Sequence, residues 1–125
     1  YMQAPADDKQ AAVETLPPCD RVFLNRVDVA VDELMATDLS VDSVAIALCM
    51  SQQQLRRKLN AVSGDTPMAY FRKRQMQKAK DMLDNRDDMS ISEIGMKCGF
   101  YDMSHFTRIF KQVVGITPSQ YRKKA

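Results

Sequence analysis

One block of this sequence occurs twice, and no other feature constrains the fold as strongly. Leu39–Phe71 reads LSVDSVAIALCMSQQQLRRKLNAVSGDTPMAYF, and Met89–Arg122 reads MSISEIGMKCGFYDMSHFTRIFKQVVGITPSQYR. At an offset of 50, Ser40 answers to Ser90, Val41 to Ile91 and Val44 to Ile94. One extra residue moves the offset to 51. Leu55 then answers to Phe106, Arg57 to Arg108, Leu59 to Phe110, Gly64 to Gly115, Thr66 to Thr117 and Pro67 to Pro118. Each copy has the pattern of a short helix, a tight turn and a second helix.

Punctuation and apolar spacing place the elements. Asp20 is expected to cap a first helix with Phe23, Val27, Ala30, Val31 and Leu34 at helical spacing, ending near Thr37. Ser40 caps the next, with Ser43 three residues on, and Val41, Val44, Ala45 and Leu48 form its buried face. After a turn at Cys49-Met50, Ser51 caps a helix with Leu55, Leu59 and Val62 inward, closed by Gly64. Thr66 and Pro67 open a long helix to about Asn85. Its inner face is Tyr70 or Phe71, Met76, Ala79 and Leu83, and its outer face Arg72, Lys73, Arg74, Lys78 and Lys80. A polar turn, Asn85–Met89, precedes a capping box of Ser90 and Glu93, with Ile91, Ile94 and Cys98 as core. Gly99-Phe100 turns the chain. Asp102 caps a helix with Phe106, Ile109, Phe110 and Val113 inside, ending at Gly115, and Thr117-Pro118 starts a last helix with Tyr121.

The expected fold is therefore all-α, with seven helices and two helix-turn-helix subdomains joined by a long connecting helix. Residues 1–19 read as a Pro-containing linker and 20–125 as the domain. The first unit lies at about 41–62, the connecting helix at about 67–85 and the second unit at about 91–114. The sequence does not begin with Met and is expected to be part of something longer.

The net charge of +2 hides an asymmetry. Residues 1–39 carry three basic groups against eight acidic ones, and residues 40–125 carry fifteen against eight. The repeat region is thus +7, which favours a polyanionic partner. No segment approaches the ~20 apolar residues of a membrane span, and the first residues given show no signal-peptide pattern. Cys19, Cys49 and Cys98 are too far apart for a local metal site, and an odd count without a disulfide framework fits a reducing, cytoplasmic setting. Cys49 and Cys98 fall at nearly matching places and read as small buried core residues.

In a helix-turn-helix unit the second helix enters the major groove and its early residues meet base edges. That chemistry needs Arg for guanine, Gln or Asn for adenine, and adaptable Ser, Thr or His. The first unit offers Ser51, Gln52, Gln53, Arg56 and Arg57, and the second Met103, Ser104, His105, Thr107 and Arg108. Ser40, Ser90, Lys73 and Lys111 are the expected phosphate contacts. The connecting helix, about 28 Å long at ~1.5 Å per residue, suits grooves ~34 Å apart. His105 is the only histidine. No metal site or catalytic triad can be built on it, Asp87-Asp88 is a solvated turn, and there is no Gly-rich phosphate loop. Neither an enzyme nor a cofactor is expected.

The chain resembles the DNA-binding domain of AraC/XylS-type transcription regulators from about Phe23 to Arg122. The second unit carries most of the likeness, through Ile91, Ile94, Gly99-Phe100, Asp102, Ser104, Phe106, Arg108, Phe110-Lys111, Gly115, Thr117-Pro118 and Tyr121-Arg122. The first unit is similar through Ser51, Leu55, Arg57, Gly64 and Pro67, and the connecting helix through Met76, Ala79 and Leu83. Gln75 stands where the family usually has Arg, Gly95 where it has Ala, and His105 where it often has an aromatic. Gly95 is expected to loosen its helix by roughly 1 kcal/mol relative to Ala. The resemblance implies binding of specific double-stranded DNA, transcription regulation as an activator or repressor, and RNA polymerase as a partner. It also implies a sensing domain elsewhere in the protein. A homodimer through upstream domains and a hybrid two-component sensor-regulator both fit that reading, the latter through the acidic linker. The competing readings are a helical module for an acidic protein partner and a non-specific DNA binder.

Overall fold

The computed structural model describes residues 16–124 except residue 87. Among them are seven helices and no strand: α1 Pro18–Leu34, α2 Val41–Ala47, α3 Gln52–Ser63, α4 Pro67–Asn85, α5 Ile91–Lys97, α6 Met103–Val114 and α7 Pro118–Lys124. The all-α fold and its two helix-turn-helix subdomains are as expected. Most of the linker, residues 1–15, lies outside the described residues.

Local chemistry sets the boundaries. Ser40, Ser51 and Ser90 each accept a hydrogen bond from the backbone N–H three residues on, and the side chain there accepts one from the N–H of the cap. These reciprocal caps satisfy donors that a helix start leaves orphaned. Gly64 and Gly115 close α3 and α6 with φ of 81° and 102°, a left-handed conformation costly to residues with a Cβ. Two boundaries of the first helix differ from expectation. It begins at Pro18, not after Asp20, because proline at the first helical position forfeits no hydrogen bond. Asp20 instead lies in the first turn, where its charge suits the helix dipole. The helix ends at Leu34, and Met35–Thr37 form a turn.

A single core runs through both units. Phe23, Val27, Val31, Val44, Leu55 and Leu59 fill the first, and Ile94, Cys98, Phe100, Phe106 and Phe110 the second. Phe71, Met76, Ala79 and Leu83 of α4 join them. Helix α4 packs against α1 and α3 on one side and against α5, α6 and α7 on the other. Three sequence expectations about the core need correction. Val113 is exposed: α7 closes that end of α6, Tyr121 standing edge-on to Phe110 at 5.7 Å, and Val114 takes the place against the core. Met89 is buried, so the turn before α5 is not wholly polar. Cys49 is exposed, and only Cys98 is a core cysteine.

The turn geometry explains the cysteines. Leu48 and Cys98 hold matching backbone angles at the ends of α2 and α5 (φ −95° and −88°, ψ 2° in both). The next residues, Cys49 and Gly99, both have positive φ, at 59° and 98°. Met50 N–H donates to Ala45 O and Phe100 N–H to Gly95 O, each at 2.9 Å. Cys49 therefore answers to Gly99, not to Cys98. Glycine is required at 99 because a Cβ there would collide with the Met35 carbonyl oxygen.

Candidate nucleic-acid interface

Both recognition helices hang from a turn braced by a neighbouring helix. In the first unit the Arg26 guanidinium of α1 donates to Leu48 O at 3.2 Å. In the second the Gln75 amide of α4 donates to Cys98 O at 2.9 Å. These are equivalent carbonyls, each at the end of the bracing helix that precedes a reader. Tyr101 is the extra residue that shifts the repeat offset. Its hydroxyl donates to Thr37 O at 3.1 Å, tying the second turn to the turn that follows α1.

The readers start in fixed registers. The Ser51 hydroxyl accepts from Gln54 N–H, and Gln54 Oε1 accepts from Ser51 N–H at 2.9 Å. Asp102 accepts from Ser104 N–H at 2.9 Å. Outward from α3 stand Gln53, Arg56 and Arg57, all exposed. Gln52 is exposed and donates to Asp42 Oδ1 at 3.1 Å. Outward from α6 stand Met103, Ser104 and Arg108, with half-buried Thr107 beside them. Met103, Ser104, Thr107, Arg108 and Lys111 line one open concavity of about 400 Å³.

Four of the expected contact residues sit in more structured surroundings than the sequence suggested. His105 is half-buried, its ring edge-on to Phe100 at 5.3 Å, rather than standing free in solvent. Lys73 is ion-paired with Asp65 at 3.0 Å. The Ser40 and Ser90 hydroxyls are helix caps, and the hydrogen bonds at its cap hold the Glu93 carboxyl below the usual range. Part of the expected outer face of α4 also turns inward. Arg72 lies over the Phe100 ring at 5.3 Å, and Arg74 pairs with Asp32 at 2.7 Å. Tyr70 donates to Asp28 at 2.7 Å. Burial and that bond push the Tyr70 hydroxyl well up, and burial raises Asp28.

Sequence reasoning missed the braces Arg26 and Gln75 and the tie from Tyr101. A polar residue four positions before an apolar helix residue gives no signal of which distant carbonyl it will reach. Among the described residues no cluster of His, Cys, Asp or Glu could hold a metal, and no helix is long and apolar enough to cross a membrane. What the surface offers is two short polar helix faces, presented by rigid turns on one scaffold.

Known proteins share this arrangement. Residues 44–124, more than half of the chain, match the family of helix-turn-helix domains. The HTH-type transcriptional activator RhaS of Escherichia fergusonii is 30% identical over 100 residues, which are 80% of this chain and 36% of RhaS. The chain thus spans about a third of that relative's length. A transcriptional regulator with an AraC-type DNA-binding domain from Chromobacterium violaceum superposes with a TM-score of 0.76 at 25% identity, covering 86% of this chain and 96% of that one. The C-terminal domain of AraT, a response regulator from Geobacillus stearothermophilus, does so with 0.75 at 28%, covering 89% and 88%. These relatives are regulators, not enzymes. The helix order, the paired turns and these likenesses together make the chain a member of the AraC/XylS-type helix-turn-helix DNA-binding domains.

Proposed function

We propose that this domain regulates transcription by laying α3 and α6 in successive major grooves on one face of a specific duplex. The observation that carries the reading is the pair of capped 12-residue helices whose outer faces hold unpaired Arg56, Arg57 and Arg108 among the described residues. They are joined through a 19-residue helix that packs on both units. In this reading Gln52, Gln53, Arg56 and Arg57 meet bases in one groove, and Met103, Ser104 and Arg108 in the next. Lys111 holds phosphate. His105 acts mainly by propping Phe100 under the second turn. Ser40 and Ser90 sit at the groove edges, and Lys73 reaches a phosphate only by leaving Asp65.

RNA polymerase is the proposed downstream partner, supported by the activator name of RhaS. The wider protein is proposed to be a cytoplasmic sensor-regulator that dimerises through upstream domains. A two-component setting is supported by the response regulator AraT and by the acidic composition of residues 1–39.

The test is duplex selection from a random pool, followed by titration across salt. Lys111→Ala should lower the log–log salt slope by about one unit. Arg57→Ala and Arg108→Ala should each cost ~1–3 kcal/mol on the selected duplex, at two base clusters about one helical turn apart. Equal weakening on every sequence would make the two arginines phosphate contacts, and salt-sensitive binding indifferent to sequence would make the chain a non-specific binder. No binding to any duplex would favour an acidic protein partner.

A further inference from the structure

The two recognition helices share a scaffold but not a surface chemistry. At the offset of 51, Met103 answers to Gln52, Thr107 to Arg56, Arg108 to Arg57 and Lys111 to Asn60. The row that reads Gln–Arg–Asn along α3 therefore reads Met–Thr–Lys along α6. The positions are one helical turn apart, so each row lies along a single face.

Met103 is the first residue of α6 and is 37% exposed although large and apolar. It opens the concavity shared with Thr107, Arg108 and Lys111. Asp102 pins the start of the helix through Ser104 N–H, so the Met103 side chain leaves from a fixed backbone. Thymine is the one base that presents an apolar group in the major groove, its 5-methyl. A thioether chain beside a threonine methyl is a matching surface, and methionine adapts to the shape it meets. Arg108, free of partners among the described residues, is the neighbouring guanine donor.

Resting on the DNA-binding reading above, we infer that the second unit recognises a thymine through its 5-methyl group, seated against Met103 and Thr107, next to a guanine taken by Arg108. The first unit, with Gln53, Arg56 and Arg57, takes purines by hydrogen bonds alone. The target is then chemically asymmetric: only the half held by α6 depends on a methyl group.

The experiment uses the 125-residue chain and the duplex it selects from a random pool. Each thymine is replaced in turn by deoxyuridine, which removes the methyl and keeps the pairing. In the half-site weakened by Arg108→Ala, one thymine should lose about fourfold in affinity, the value of one buried methyl at ~0.8 kcal/mol. In Met103→Ala that ratio should fall to one, with an unchanged melting temperature showing an intact fold. Met103→Gln, which copies the first unit, should move the selected base there towards adenine. A selected duplex indifferent to every thymine methyl in that half-site would overturn the inference and leave DNA recognition standing, as would a methyl effect that survives in Met103→Ala. Failure to select any duplex would overturn the inference and the proposed function together.

Discussion

Gly95 offers a sharp test of how the second unit is packed, because a rule of thumb and the structure disagree on the sign. Helix propensity alone says that Gly95→Ala stabilises α5 by ~1 kcal/mol. The structure shows why glycine is there. A Cβ at residue 95 would lie 3.0 Å from Cδ2 and 3.1 Å from Cγ of Phe106. Phe106 is fully buried, its ring 5.4 Å from that of Phe100 and 5.8 Å from that of Phe110, so it has little room to retreat. Overpacking a core of this kind costs ~1–3 kcal/mol. Taking ~2 for a ring held on two sides and subtracting ~1 for propensity leaves a net loss of ~1 kcal/mol. In a domain of this size that is a fall of roughly 4–8 °C in melting temperature. The first unit supplies the control. There the equivalent pair is Ala45 and Leu55, both buried, so a Cβ on the bracing helix is accommodated by a smaller side chain on the reader. Urea unfolding of Gly95→Ala, Phe106→Leu and the double variant should show the double losing less than the sum of the singles, by ~1–2 kcal/mol, within the range for touching residues. A Gly95→Ala protein more stable than wild type, or strict additivity, would refute the packing argument.

Burial in the second unit sets three further outcomes. Phe110→Ala should cost ~3–5 kcal/mol, whereas His105→Ala should cost only about 1 kcal/mol, the worth of its edge-on pair with Phe100. Thermal melts of both variants check this, and a His105→Ala midpoint equal to wild type would mean the ring pair contributes nothing. Burial pushes the Cys98 thiol up from 9.0 to about 12, so iodoacetamide at pH 8 should label Cys19 and Cys49 and spare Cys98 in the folded chain. The same shift has a sign. Between pH 9 and 12 the unfolded chain releases this proton first, so stability should fall as pH rises through that window.

The helices themselves were legible because each start and stop carries its own chemistry. Ser40, Ser51, Thr66, Ser90 and Asp102 act within four residues of where they stand, as do Gly64 and Gly115. Likewise Phe106 and Phe110 announce their buried face by spacing alone. What could not be read is anything set by a partner distant in sequence. Val113 has the spacing of a core residue but lacks a neighbour to cover it. His105 has the composition of a reader, yet Phe100 is close enough to claim its ring. Arg74 looks like a free charge on an outer face until Asp32, from a helix 42 residues earlier, comes within 2.7 Å.

The braces suggest that the repeat is longer than the sequence shows. Arg26 and Gln75 are 49 residues apart and donate to equivalent carbonyls, Leu48 O and Cys98 O. Carrying that offset along α1 and α4 brings Val27 onto Met76, Ala30 onto Ala79 and Leu34 onto Leu83, and all but half-buried Leu34 are buried. On this view α1 is to the first unit what α4 is to the second, and the chain is two three-helix bodies followed by α7. Sequence comparison misses it because the offset changes twice, from 49 to 50 and then to 51, and because the shared role passes from a guanidinium to an amide. The substitution has a physical consequence. Gln75 is buried at 6% exposure and brings no charge beneath the second turn, where a Cβ on Gly99 would stand 3.0 Å from its Nε2. Arg26, by contrast, is exposed to solvent. The first reader is therefore hung from an exposed side chain and the second from a buried one. The buried brace from α4, together with Tyr101 on Thr37 O, ties the angle of α6 to the turn after α1 as well as to its own unit.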